Sequence, residues 1–198
     1  MRIGVLGGTF DPIHCGHLQV ADRVAAALGM EQVFLVPAGD PWMKPPPEAS
    51  RADRLSMVEL AIGNHARLAS SSVDVDRVGP TYAVDTLADL QRAFPKRQPG
   101  QVVRWSFIVG ADALADFMRW REPDRILQLA DIVGVTRPGH RLDPPPIPEG
   151  RLTLLEVDSM DVSSSQIRDR VAAGQSIDGL VEPAVAHYIR EHRLYREG

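Results

Sequence analysis

The sequence predicts an α/β protein in which a parallel sheet carries helices on both faces. Short apolar runs typical of buried strands alternate along the chain with segments whose apolar residues recur at helical spacing. The first apolar run leads through two glycines into the first helical segment, and a strand, a glycine turn and a helix in that order form the front of a Rossmann-like unit. We therefore expect a Rossmann-like, doubly wound parallel sheet.

Length and composition limit the class of protein. The 198 residues fit one domain covering 1–198, with a small C-terminal helical part at about 160–198. The 22 basic and 26 acidic residues leave a net charge of −4, which does not favour a nucleic-acid partner. The single cysteine, Cys15, excludes an internal disulfide framework, and the sequence shows neither a signal-peptide pattern nor an apolar run long enough to span a membrane. We therefore expect a cytoplasmic protein that binds neither nucleic acid nor membranes.

Apolar runs mark the predicted strands, and predicted helices connect them. The strands lie at residues 3–6, 33–36, 68–75, 102–109, 132–135 and 152–157. The first helix covers 18–28 and ends at Gly29, and Ser50 and Thr81 are the predicted caps of the next two. Later helices are predicted up to about 118, from Pro123, from 163–165 and from Pro183 to about 191. The proline-rich segment 141–150 is a predicted exposed connection.

Residues 7–17, G-G-T-F-D-P-I-H-C-G-H, join the first strand to the first helix and carry the strongest chemical signal. Glycine lets the backbone approach an anion closely, and a helix N-terminus offers unpaired N–H groups and a partial positive charge. His14 and His17 are three residues apart, so near the first turn they can face the same side. This combination suits the phosphates of a nucleotide. Because ligands bind at the carboxyl ends of parallel strands, we expect this turn, residues 110–112 and the helix start at Ser163 to lie near one another.

Other interpretations of this stretch have less support in the residues. Gly4, Gly7 and Gly8 do not form the G-x-G-x-x-G pattern of a dinucleotide-binding dehydrogenase. A zinc site with Cys15 and the two histidines has no evident fourth ligand, and position 15 points away from the face that the histidines share. A plain strand-to-helix turn with two packed or capping histidines remains an alternative on the local residues alone.

The H-x-G-H of residues 14–17, preceded by G-G-T-F-D-P, resembles the signature of the HxGH nucleotidyltransferase superfamily. Further blocks over almost the whole chain are similar to those of the bacterial nicotinate-nucleotide adenylyltransferase family. They are T-Y-A-V-D-T-L at 81–87, G-A-D at 110–112 with Trp120, R-P-G at 137–139 and S-S-S-Q-I-R at 163–168. The resemblance implies the HxGH type of Rossmann-like fold.

The resemblance also implies an activity, the transfer of AMP from ATP to nicotinate mononucleotide, giving deamido-NAD and pyrophosphate with the use of magnesium. The attacking group is a phosphate monoester that is already mostly dianionic at neutral pH, so direct in-line attack requires no dedicated base. Catalysis is then mostly positioning and stabilisation of charge on the α-phosphate and the departing pyrophosphate. We expect Mg²⁺ between phosphates and water and assign it no protein ligand.

The catalytic residues that the resemblance implies are His14, His17 and Arg168. The histidines would contact the α- and β-phosphate region, and Arg168, one helical turn beyond Ser164 and Ser165, would complete a second phosphate cradle. The residues implied in ATP binding are Gly7, Gly8, Thr9, Phe10, His14, His17, Lys44, Gly110, Asp112, Ser163, Ser164, Ser165 and Arg168.

The chain departs from the family pattern at a few positions. Ser165 stands where the family usually has a threonine, and the hydroxyl group is kept. Met43 replaces the histidine of a Pro-Pro-His-Lys run and the prolines follow Lys44, so Lys44 either reaches a phosphate or is an ordinary surface lysine. Ala83 stands where the family often has a threonine, a change that we expect to be tolerated.

On the acceptor side, the residues implied in binding nicotinate mononucleotide are Thr9, Thr86, Trp120 and Arg137. The Trp120 ring can stack on a pyridine ring, and Thr86 or the local backbone can bond the carboxylate. Arg137 or the backbone of its loop can hold the phosphate. The alternative for Trp120 is a core aromatic. Asp112 binds ribose hydroxyls in the family interpretation and caps the short helix after it in the alternative.

Two other classes of function remain open from the sequence. One is another HxGH-family nucleotidyltransferase, such as pantetheine-phosphate adenylyltransferase or a cytidylyltransferase, although the block at 81–87 and Trp120 are features those families lack in this form. The other is a non-catalytic nucleotide-binding regulator, against which the intact HxGH histidines and Arg168 argue. The sequence does not decide between nicotinate and nicotinamide mononucleotide, nor whether the 38–49 loop closes over ATP. It does not give the oligomeric state, although the last helices could pack in a homo-oligomer.

Overall fold

The computed structural model describes residues 1–43, 45–94, 100–139 and 144–196, and its centre is a parallel sheet. The strands are β1 (Arg2–Gly8), β2 (Gln32–Pro37), β3 (Asp40–Pro41), β4 (Leu68–Ser70), β5 (Pro80–Thr81), β6 (Arg104–Gly110), β7 (Asp131–Thr136) and β8 (Leu152–Glu156). Six of them form the main sheet in the order β4-β2-β1-β6-β7-β8, with all pairs parallel. The short strands β3 and β5 pair separately.

Helices connect these strands, and several begin where the sequence places a cap or a proline. They are α1 (Cys15–Ala27), α2 (Arg51–Ile62), α3 (Ala83–Ala93), α4 (Ala111–Ala115), α5 (Pro123–Leu129), α6 (Ser164–Ala172) and α7 (Pro183–Glu191), with a 3₁₀ turn at Phe117–Arg119. Ser50 caps α2 by accepting a hydrogen bond from the Asp53 N–H at 3.1 Å, as predicted.

Helices cover both faces of the sheet. Along β1 the side chains alternate: Ile3 and Val5 pack into the core shared with α3, α4 and α5, whereas Leu6 packs into the core shared with α1, α2, α6 and α7. Buried side chains of the last two helices, such as Ile167 and Ile189, belong to that second core, so the C-terminal helices pack on the same sheet. The predicted doubly wound α/β class is confirmed.

The strand order places a crevice at the carboxyl ends of β1 and β6. From β1 the chain winds outward through β2 and β4, and it then returns to β6 on the other side of β1 and winds outward in the opposite direction. Such a reversal opens a ligand-binding crevice beyond the two central strands. Gly7 and Gly110, at these ends, are exposed.

The strand predicted at 68–75 is shorter than expected, because β4 ends at Ser70. The chain turns instead: the Asp76 N–H donates to the Ser72 carbonyl at 2.9 Å, and the Ser72 hydroxyl donates to the Asp76 carboxylate at 2.7 Å. These hydrogen bonds hold a local turn in place of strand pairing.

Two predicted boundaries also shift. Thr81 is not the cap of α3, because it pairs with Pro41 as part of β5, and Tyr82 takes the N-cap position. The strand predicted from 102 begins at Arg104, and Val102 is exposed.

Of the connection predicted at 141–150, the structure describes residues 144–150. Residues 144–150 contain neither helix nor strand, and residues 140–143, like Lys44, lie outside the described residues. In the described part of the chain, every helix is too short or too polar to cross a membrane.

Candidate active site

The corner between β1 and α1 brings the glycine pair and both histidines to the carboxyl end of β1. After β1 ends at Gly8, Phe10 adopts the left-handed backbone region (φ 49°) and its ring is buried. A Cβ at Gly8 would lie 2.8 Å from that ring, which leaves no room for a side chain. The turn therefore requires glycine at this position.

His14 and His17 face the same side, as their spacing predicted. Their rings stack with centroids 3.6 Å apart. The His14 N–H donates to His17 Nδ1 at 3.3 Å, so the proton of a neutral His17 ring is on Nε2. The Phe10 ring packs perpendicular to His17 with centroids 4.9 Å apart. These contacts fix the position of His17 and the nitrogen that carries its proton.

Burial keeps His14 neutral. The residue is 7% exposed, and its buried Nδ1 has no hydrogen-bond partner within the described ranges. Burial, with the positive charge of Arg137 as the second cause, lowers the pKa of His14 to about 4. A Cβ at Gly16 would lie 3.1 Å from His14 Nδ1 and from the Met160 carbonyl oxygen, so a side chain there would have to displace one of these close neighbours. At neutral pH, His14 is an uncharged imidazole.

The start of α6 lies against the loop that precedes the histidines. Ser163 is the N-cap of α6, and the Ser164 hydroxyl donates to the Pro12 carbonyl at 2.8 Å. One turn further, Arg168 donates from Nη1 to the Asp11 carbonyl at 2.9 Å. The structure therefore places the first turn beside the helix start at Ser163, as predicted.

Arg168 is also paired with an acidic side chain. Its Nε donates to the Glu48 carboxylate at 2.6 Å, and its Nη2 lies 3.5 Å from the Ser165 hydroxyl oxygen. The Arg168 side chain is 24% exposed and the Glu48 side chain 57% exposed. A phosphate that approaches Arg168 would compete with the Glu48 carboxylate.

Asp11 has a structural role that the sequence motif did not reveal. Its side chain is buried, and its carboxylate accepts hydrogen bonds from the N–H groups of Glu48 (2.8 Å) and Ala49 (3.1 Å) and from the Tyr195 hydroxyl (2.8 Å). The loop before the histidines is thereby tied to the segment before α2 and to the end of the chain. Tyr195 is 184 residues away from Asp11, so no local pattern could have paired them.

Arg54 is a second residue that sequence reasoning missed. It is 1% exposed and donates to the carbonyl oxygens of Thr9 (2.8 Å), Ala38 (2.5 Å) and Gly39 (2.8 Å). These bonds join the loop after β1 to the loop after β2. A signal was present in the sequence, since Arg54 stands three residues before the buried Met57 on the apolar face of α2.

On the acceptor side, Thr86 is buried and its hydroxyl is used within the protein. The hydroxyl donates to the Asp74 carboxylate at 2.7 Å, and the Thr86 N–H donates to the Tyr82 carbonyl at 3.0 Å. Arg77 also donates to Asp74, at 2.7 Å, and burial raises the pKa of that carboxyl group. Thr86 therefore holds the start of α3 in place, and its hydroxyl is hydrogen-bonded within the protein.

Trp120 combines a core contact with an unused donor. Its ring packs perpendicular to Phe107 and at an angle to Phe117, with centroids 6.0 Å and 5.4 Å away. Its Nε1 is buried and has no partner in the part of the chain that the structure describes. Both alternatives for this residue thus have structural support.

Two further predicted residues, Arg137 and Asp112, are exposed. Arg137 pairs with the Asp161 carboxylate, and its positive charge contributes to the lowered pKa of His14. Asp112 lies in the first turn of α4, where Gly110 and not Asp112 is the N-cap. Lys44 lies outside the described residues.

The described residues build no metal cage. Within residues 1–43, 45–94, 100–139 and 144–196, no group of three or more His, Cys, Asp or Glu side chains could hold a metal ion. At this corner, the Asp11 carboxylate is occupied by three donors and the Glu48 carboxylate by Arg168. The donor set of the corner suits an anion, not a bare cation.

Comparison with known proteins places this corner in a family context. The cytidylyltransferase-like family matches residues 5–170. The chain is 45% identical over 196 residues to "Probable nicotinate-nucleotide adenylyltransferase" of Saccharopolyspora erythraea, covering 98% of this chain and 90% of that relative. It is 45% identical over 197 residues to the protein of the same name from Acidothermus cellulolyticus, covering 98% and 94%.

Solved structures agree with the fold. The structure of Plasmodium falciparum nicotinic acid mononucleotide adenylyltransferase complexed with NaAD superposes with a TM-score of 0.73 at 19% identity, over 98% of this chain and 97% of that one. A likeness at that identity concerns the fold alone, whereas the matches at 45% identity extend over almost the whole length. The chain therefore belongs to the cytidylyltransferase-like family and, within it, to the nicotinate-nucleotide adenylyltransferases.

Proposed function

We propose that this protein transfers AMP from ATP to nicotinate mononucleotide, forming deamido-NAD and pyrophosphate as a step of NAD biosynthesis. The observation that carries the proposal is the β1–α1 corner, where the stacked His14 and His17 lie beside the loop that anchors Arg168, in a chain 45% identical over nearly its full length to members of this family. Two imidazoles, a guanidinium and two helix N-termini converge there, and such donors stabilise phosphate charge.

The reaction needs little from the protein beyond this arrangement. A phosphate oxygen of the mononucleotide attacks the α-phosphorus of ATP, the new P–O bond forms, and the bond to the departing pyrophosphate breaks. Negative charge rises on the α-phosphate and the leaving group, where the Nε2–H of His17 and the Arg168 guanidinium are the proposed donors. Since His14 is neutral at physiological pH, we assign it hydrogen bonding and not charge neutralisation.

Magnesium enters this scheme with the nucleotide. ATP would bind as its Mg²⁺ complex, and the metal would add charge neutralisation at the phosphates. The chain's own residues bind and orient the phosphates. The remaining ATP-binding residues are proposed to be those of the family pattern, with Gly7, Gly8 and Thr9 at the corner, Gly110 at the end of β6 and Asp112 at the start of α4.

For the acceptor we propose a site at the start of α3 and around Trp120. The tryptophan ring would take the pyridine face and the α3 backbone the carboxylate, while Thr9 and Arg137 would lie near the phosphate. Trp120 Nε1, which is buried and has no partner among the described residues, supports a ligand contact there. A cytoplasmic location and a homo-oligomer formed through the last helices stay predictions.

Turnover with a panel of acceptors tests the proposal. Purified protein is incubated with ATP, Mg²⁺ and either nicotinate mononucleotide, nicotinamide mononucleotide or phosphopantetheine, and both pyrophosphate and the adenylylated product are measured. We expect product with nicotinate mononucleotide. Product with phosphopantetheine alone would reassign the enzyme within the superfamily, and no product with any acceptor would favour a nucleotide-binding regulator.

A further inference from the structure

The end of the chain reaches the loop that leads into the two histidines. Tyr195 lies beyond α7, is 9% exposed, and donates from its hydroxyl to Asp11 Oδ1 at 2.8 Å. Its backbone is in the left-handed region (φ 60°), an uncommon conformation for a residue with a side chain. The C-terminal segment is thus held in an unfavourable conformation that places this hydroxyl on Asp11.

Asp11 connects the Tyr195 hydroxyl to the active-site corner, because it is hydrogen-bonded to both Tyr195 and Arg168. Its carboxylate is held by Tyr195 on one side and by the Glu48 and Ala49 N–H groups on the other. Its carbonyl oxygen accepts the hydrogen bond that anchors Arg168 at 2.9 Å. Two residues further along the same loop is Ile13, and His14 follows it. The carboxylate and this carbonyl belong to one residue, so a shift of the Asp11 backbone that follows loss of the carboxylate contacts would move both the Arg168 anchor and the peptide that carries His14.

We propose that Tyr195 is a positioning residue for nucleotidyl transfer, because its hydroxyl fixes Asp11 and through it the relative placement of Arg168 and His14. The proposal rests on the proposed function, since it assigns Tyr195 a part in that same site. Without the hydroxyl, the buried Oδ1 keeps a single backbone donor and Asp11 gains freedom to rotate. Small misplacements of groups that contact the transition state reduce turnover out of proportion to their effect on stability.

The protonation state of the pair supports this role. Burial and the negative charge of Asp11 raise the pKa of Tyr195, so the hydroxyl keeps its proton and donates throughout the physiological range. The Asp11 carboxylate accepts all three hydrogen bonds, and the Tyr195 hydroxyl and the two backbone N–H groups are the donors.

The chain contains a matched control. Tyr188 lies on α7, and its hydroxyl donates to the Asp53 carboxylate at 2.9 Å. Tyr195→Phe and Tyr188→Phe therefore both remove a tyrosine hydroxyl that donates to an aspartate near the same end of the chain. Only the first of these aspartates belongs to the loop before the histidines.

The experiment compares kcat, KM for ATP and thermal unfolding of the two variants with wild type. We expect Tyr195→Phe to lower kcat/KM for ATP by about tenfold and Tyr188→Phe to leave it unchanged, with similar melting temperatures for both. In an Arg168→Gln background, Tyr195→Phe should lower kcat/KM by less than it does in the wild type, because one of the two groups that it positions is gone. Equal kcat/KM for the two tyrosine variants would overturn the proposal, as would full additivity with Arg168→Gln.

A second variant, Asp11→Asn, and the stabilisation by MgATP complete the test. If Tyr195→Phe does not fold, Asp11→Asn replaces it, since an amide can no longer accept from all three donors, and wild-type kcat/KM in that variant would overturn the proposal. The rise in melting temperature with MgATP is measured as well, because it needs no acceptor. Inactive wild-type protein overturns the proposed function, and the placement of Arg168 by Tyr195 is then judged from MgATP binding alone. We expect a smaller rise in melting temperature for Tyr195→Phe than for Tyr188→Phe, and equal rises would overturn that placement.

Discussion

The guanidinium of Arg168 is divided between the Asp11 carbonyl at 2.9 Å and the Glu48 carboxylate at 2.6 Å. The residue assigned to the ATP phosphates is therefore paired with an anion before a nucleotide arrives. The pair is partly exposed, and such pairs contribute about 1 kcal/mol or less. A phosphate can displace a carboxylate held this weakly, but part of its binding free energy is used to do so.

Replacing Glu48 by glutamine should therefore improve binding of ATP. We expect Glu48→Gln to lower the KM for ATP by roughly threefold, with kcat little changed, because the competing negative charge is removed while the backbone N–H to Asp11 stays. Steady-state kinetics at low ionic strength measures this. Glu59→Gln, an exposed substitution on α2, serves as the control. A higher KM for ATP in Glu48→Gln would mean that Glu48 assists binding.

Removal of either stacked histidine should reduce turnover strongly. His17→Ala and His14→Ala are each expected to lower kcat by on the order of 10²-fold, by analogy with loss of a donor to developing charge. His187→Ala, which removes an exposed histidine of α7, should keep wild-type kcat. The measurement is product formation at saturating substrates. Wild-type kcat in the double variant of His14 and His17 would remove the basis of the proposed mechanism.

The neutral state of His14 makes stability depend on pH. With a folded pKa of about 4 against an ordinary value of 6.5, the unfolded chain binds a proton between these values and the folded protein does not. Stability is therefore lost as the pH falls through this window, by about 2 kcal/mol between pH 7 and pH 5 from this group. Urea unfolding of wild type and His14→Gln at both pH values measures the difference. The variant should lose about 2 kcal/mol less than wild type over that interval, and an equal loss would contradict the burial argument.

The sequence predicted what local patterns encode. The β1–α1 corner follows from an apolar run, two glycines and histidines three residues apart, all within residues 3–17. The capping of α2 and α6 follows from serines at fixed spacing. These features depend on residues that are close together in the sequence, so they can be recognised without knowledge of the fold.

Other parts of the site depend on partners that are distant in sequence. The Thr86 hydroxyl donates to Asp74, which lies 12 residues earlier in the segment 68–75 that the sequence predicts as a strand. Arg54 is bonded to carbonyls 15, 16 and 45 residues away, and backbone carbonyls leave no trace in the side-chain pattern. Only the three-dimensional arrangement shows these contacts.

Arg54 provides the last prediction, because its three carbonyl partners come from the two loops that flank the site. Arg54→Met keeps a long apolar stem on the core face of α2 but removes every donor, so the carbonyls of Thr9, Ala38 and Gly39 lose their partner. We expect a destabilisation of about 3 kcal/mol, measured by urea unfolding at neutral pH. Arg125→Met, which removes an exposed arginine of α5 bonded to Gln128, should change stability by less than about 0.5 kcal/mol. Equal stability of the two variants would show that the loops keep their conformation without Arg54.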